Sequence, residues 1–67
     1  MANELHGEPN QPLHYFDLCN LINEYKREVT LNEFIERACN EGWYNRLRRI
    51  GQTTVLRAIE RHNAKYK

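Results

Sequence analysis

A threonine and a glutamate three residues apart, set just ahead of an apolar stripe, constrain this chain more than any other feature. Thr30 and Glu33 stand as T-x-x-E, so the threonine oxygen can accept the N–H of the third helical residue while the glutamate reaches back to the threonine N–H. Val29 before the cap and Phe34 beyond it are spaced as a hydrophobic staple. Leu31, Phe34, Ile35, Ala38 and Cys39 then follow at i, i+3, i+4, i+7 and i+8, one face of a helix without a mismatch. Gly42 supplies the left-handed residue that ends it. Residues 30–50 therefore read as the centre of an all-α fold, a small bundle of three to four short helices.

The other helices are read outward from this centre. Residues 1–11 hold scattered polar positions without periodicity and read as a flexible N-terminal arm, leaving residues 12–67 as a single helical domain. Asn10 and Pro12 suit a helix start, and a first helix is expected over about residues 12–27, with a short link that sets it antiparallel to the central one. Its apolar residues, from Leu13 through Tyr15, Phe16, Leu18, Cys19, Leu21 and Ile22 to Tyr25, cover more than one stripe, so it has neighbours on two sides or a side open to a partner. Trp43, Tyr44, Leu47 and Ile50 predict a third helix over 43–50, closed by Gly51, with Trp43 in the core. Thr53 is a candidate N-cap for a fourth, with Val55, Leu56, Ile59 and Tyr66 inward and Arg57, Glu60, Arg61 and Lys65 outward.

Catalysis finds nothing to stand on. A chain of 67 residues has barely enough core to fold, and no glycine-rich phosphate loop, nucleophile with its base, or pair of carboxylates in a credible cleft is visible. His6, His14 and His62 are scattered and the two cysteines are far apart, so neither a metal site nor any other cofactor is expected. Cys19 and Cys39 fall on apolar stripes and read as reduced, buried thiols of a cytoplasmic protein. No run is long and apolar enough for a membrane span, and the N-terminus lacks the pattern of a secretory signal.

The net charge of +1 hides a division. Residues 1–39 carry −4 and residues 40–67 carry +5. The basic half holds Arg46, Arg48, Arg49, Arg57 and Arg61, which with Tyr44 form the candidate partner-binding set. Two classes of partner fit: another protein, or a second copy, through complementary acidic and basic faces, or a nucleic acid. The stretch GQTTVLRAI looks like the start of a recognition helix. In a helix-turn-helix, however, the positions about six and nine residues after the glycine are apolar, and here they are Arg57 and Glu60.

The pattern Leu21-Ile22-x-x-Tyr25-x-Arg27-x-x-x-Leu31-x-Glu33-Phe34-Ile35 resembles the closing helices of bacterial effector-associated domains, death-domain-like adaptors of prokaryotic conflict systems. The stretch FIERACNEGWYNRL is similar to the same ending in a second register. The resemblance implies a helical module that binds other proteins, or its own kind, without catalytic residues. A non-catalytic, adaptor-type interaction domain is the function expected, with a small nucleic-acid-binding regulator as the alternative.

Overall fold

The cap forms as its spacing requires. In the computed structural model, which describes residues 5–8 and 10–67, helix α2 spans Leu31–Glu41. Thr30 Oγ1 accepts the Glu33 N–H at 3.1 Å, and Glu33 Oε1 accepts the Thr30 N–H at 3.1 Å. At the other end Gly42 adopts φ +90° and donates its N–H to the Ala38 carbonyl at 2.9 Å. An L side chain is strained in that conformation, so the glycine is what lets the helix stop there. Thr30→Ala is expected to lower stability by about 1 kcal/mol, read as a shift in the denaturation midpoint.

Three further helices complete the bundle, α1 over Tyr15–Asn23, α3 over Tyr44–Ile50 and α4 over Gln52–Asn63, with a final 3-10 turn at Ala64–Tyr66. Among the described residues no strand occurs. Phe34, Leu18, Ile22 and Val29 are fully buried at the centre, and Leu21, Ala38, Trp43, Leu47, Val55 and Ile59 close the core around them. Trp43 stands edge-on to Phe34, with ring centroids 5.3 Å apart, and its indole N–H donates to Glu41 at 2.8 Å. Both demands of a buried tryptophan are thereby met.

Several boundaries differ from expectation for tertiary reasons. α1 begins at Tyr15 rather than at Pro12, because the preceding chain stays extended and the Leu13 N–H donates to the Arg46 carbonyl at 3.2 Å. It stops at Asn23, short of Arg27, where His62 of α4 meets both the Asn23 side chain (3.1 Å) and the Arg27 carbonyl (2.9 Å). α1 packs chiefly on α4, not on α2 as the short link suggested. α4 starts at Gln52 directly after Gly51, whose φ of +102° makes the corner, so Thr53 lies inside the helix instead of capping it. Ala58 and His62 take the inward places given to Leu56 and Tyr66: Leu56 is half-buried and Tyr66 exposed.

The thiols also depart from expectation. Both are free, but Cys19 is only partly covered and Cys39 is exposed. Cys39 follows Ala38 by one position, about 100° around the helix, which rotates it out of the core edge formed by Phe34 and Ala38. A thiol reagent should label Cys39 rapidly in the native protein and Cys19 more slowly, as followed by mass spectrometry. Equal protection of both would show that α2 is turned differently.

Candidate binding surface on α3 and α4

The basic residues of the second half do not share one setting. Arg46 faces inward and is only 6% exposed. Its Nε donates to the Gln11 carbonyl at 3.1 Å, and its guanidinium also donates to the His6 carbonyl. This arginine is committed to the fold and leaves the surface set. It anchors the segment read as an arm, of which residues 1–4 and 9 lie outside the described residues. Within that segment the His6 N–H donates to Asp17 at 2.7 Å, the His6 ring lies 2.8 Å from the same carboxylate, and Leu5 packs against the core. Asp17 is buried, which alone would raise its pKa, but the hydrogen bonds from His6 outweigh burial and hold it below the ordinary carboxyl value.

The two arginines of the first half are consumed within the molecule, while its one lysine, Lys26, is exposed. Arg37 donates to the Leu21 carbonyl at 3.0 Å, bonds Glu41 at 3.1 Å and pairs with Glu24, tying the end of α1 to α2. Burial opposes its charge, and these carboxylates more than restore it, so its pKa is raised. Arg27 grips Glu33 with two parallel bonds of 3.0 and 2.6 Å. That fork, with the Thr30 N–H, holds Glu33 down to about 2. A carboxyl depressed in this way supports the fold above its unfolded pKa and loses that support as pH falls through the folded value. Arg27→Ala should therefore return the Glu33 midpoint most of the way towards 4.5, read from carboxyl carbon shifts in an NMR titration.

Arg48, Arg49, Arg57 and Arg61 are different. All four are exposed, and among the described residues none forms an ion pair. Arg57 and Arg61 stand one turn apart on the outer side of α4, and Arg61 also lines a groove between α1 and α4 of about 420 Å³ with Tyr15, Cys19 and Lys65. Arg48 and Arg49 sit on α3, where two hollows of opposite character meet. Tyr44, Leu47 and Arg48, at i, i+3 and i+4, join Leu31, Ile35 and Val55 around an apolar groove of about 260 Å³. Asn45, Arg48 and Arg49, at the same spacing, join Asn10 around a polar hollow of about 490 Å³. Arg48 belongs to both because it is i+4 from Tyr44 and i+3 from Asn45.

Of the residues picked from sequence, the structure thus brings Tyr44, Arg48 and Arg49 together, sets Arg57 and Arg61 on a separate helix face, and withdraws Arg46. Asn10 and Asn45 were missed: Asn45 is legible in retrospect from its helical spacing to Arg48 and Arg49, whereas Asn10 reaches the site only through the docking of its segment. Among the described residues no group of three or more potential metal ligands comes together, and no helix is long and apolar enough to cross a membrane. No protein-family model matches the chain, and neither a curated protein nor a solved structure shows significant similarity to it.

Proposed function

We propose that this chain is a non-catalytic protein-interaction module, of the adaptor kind, that binds an acidic partner through Arg48, Arg49, Arg57 and Arg61 with Tyr44 beside them. The observation that carries the reading is the asymmetry of ion pairing. Arg27 and Arg37 are held by Glu33, Glu24 and Glu41, while the four arginines of α3 and α4 have no ion-pair partner among the described residues. An exposed guanidinium keeps a rigid fork suited to carboxylates and sheds its hydration readily at an interface. Tyr44 adds an aromatic body with a polar tip, of the kind that dominates interface energetics. The resemblance of the α1–α2 segment to effector-associated domains points to the same class of activity, and two free thiols, one of them exposed, accord with a reducing cytoplasmic setting.

A nucleic-acid backbone would use the same forks, so a regulator is the second reading. The apolar groove beside Arg48 favours protein, because phosphate contact gives no use to such a surface. Gel-shift and size-exclusion series at low and physiological salt separate the two. The expected result is duplex binding that is weak and vanishes as salt rises, with protein association that persists. Sub-micromolar duplex binding at physiological salt, with no protein association, would replace this reading by the regulator.

A further inference from the structure

The two hollows on α3 narrow the class of protein partner, an inference that rests on the protein-binding proposal. The apolar groove, at about 260 Å³, is below the roughly 300–1,000 Å³ of small-molecule pockets, so it suits one or two anchoring side chains. Its floor includes buried Leu47 and Val55, and its walls include the half-covered Leu31 and Ile35 of α2, with Tyr44, Arg48 and the polar Gln52 completing the lining. Among the described residues the neighbouring hollow is lined by Arg48, Arg49, Asn10 and Asn45, with no carboxylate. Neither arginine has an internal partner among the described residues to displace.

Either hollow alone would be unselective. Apolar grooves accept many apolar segments, and a pair of arginines accepts many anions. Arg48 borders both, so a ligand that fills both must carry an apolar side chain and an anionic group within the span of one guanidinium. We infer that the two hollows form a single recognition site for a short acidic amphipathic segment of a partner protein. Its apolar residue sits among Leu31, Ile35, Leu47 and Val55, and a glutamate or aspartate lies between Arg48 and Arg49. A helix turn supplies that arrangement, since residues three and four apart stand side by side on its surface. A second copy of this chain presenting the same face is a poorer occupant. Its exposed cations on α3 and α4 outnumber its exposed acids there, where only Glu60 is found, so docking like faces sets arginine against arginine.

The test uses the whole chain and three fluorescent peptides of about 12 residues. One is an amphipathic sequence with leucines at i and i+4 flanked by glutamates, the second has its leucines changed to serine, and the third has its glutamates changed to glutamine. Fluorescence anisotropy at physiological salt should give a dissociation constant on the order of 10 µM for the first and at least tenfold weaker binding for each of the others. Arg48→Ala should weaken the first peptide tenfold and Lys26→Ala should not. Nitrogen-15 NMR shifts on binding should centre on Leu31, Ile35, Tyr44, Leu47 and Arg48, which keeps the result readable if a variant folds poorly. Equal binding of the serine peptide would overturn the inference, as would shifts confined to Arg57 and Arg61, while both leave the protein-binding reading standing. No binding of the first peptide at millimolar concentration, or a self-associated state that excludes it, would also overturn it. The protein-binding reading itself falls only to sub-micromolar duplex binding without protein association.

Discussion

Phe34→Ala is expected to remove about 3–5 kcal/mol of stability, comparable to the whole margin of about 3–5 kcal/mol that a core of this size supplies. Phe34 is fully buried and stands edge-on to two rings, Trp43 at 5.3 Å and Tyr25 at 6.5 Å between centroids. Truncation leaves a void between α2 and the α3 turn that no flexible neighbour fills, since Leu18, Ile22 and Val29 around the core centre are themselves fully buried. The variant should be largely unfolded at 25 °C, with near-ultraviolet dichroism of Trp43 lost. Near-native stability by urea denaturation would mean that Phe34 does not occupy the centre.

Asn63→Ala is the second large effect, and its cause is polar. Val29 is 1% exposed and lies in the link between α1 and α2, outside any helix. Its N–H donates to Asn63 Oδ1 at 2.8 Å and its carbonyl accepts from Asn63 Nδ2 at 2.9 Å. The side chain at the end of α4 thus stands in for the strand or helix partner that Val29 lacks. Alanine leaves a buried donor and a buried acceptor together, each costing about 1–3 kcal/mol, so a loss of about 2–6 kcal/mol is expected on the same principle. Chemical denaturation measures it, and a loss below that of Thr30→Ala would show that water replaces the amide.

These two residues also mark what was legible before the structure. The bounds of α2 were readable because its start and stop are local, each set by residues within four positions of one another, although its stripe read one position too wide at Cys39. Phe34 belongs to that pattern. Asn63 does not: its partner is 34 positions away, and no periodicity announces it. The same holds for Arg46, whose hydrogen bonds run to backbone carbonyls 35 and 40 positions away, so it read as one more surface arginine. His62 is an intermediate case, since it continues the Val55–Ile59 stripe at i+7 but is polar and so does not announce a core position. The early end of α1 follows from it. In the site, the exposed arginines and Tyr44 were visible from charge and type, but the apolar groove exists only because α2, α3 and α4 converge, and the polar hollow only because the segment carrying Asn10 docks beside α3.

The inward arginine also fixes how the outward ones are presented. Seven residues are too few for a helix to persist by itself in water. α3 is held from outside: Arg46 reaches the His6 and Gln11 carbonyls, its own carbonyl receives the Leu13 N–H, and Leu47 is sealed in the core. The backbone beneath Arg48 and Arg49 is therefore already immobilised before any encounter. An incoming segment has only the two long side chains to still, at about 0.5–1.5 kcal/mol each, rather than a whole loop, so association there should proceed as a near-rigid docking.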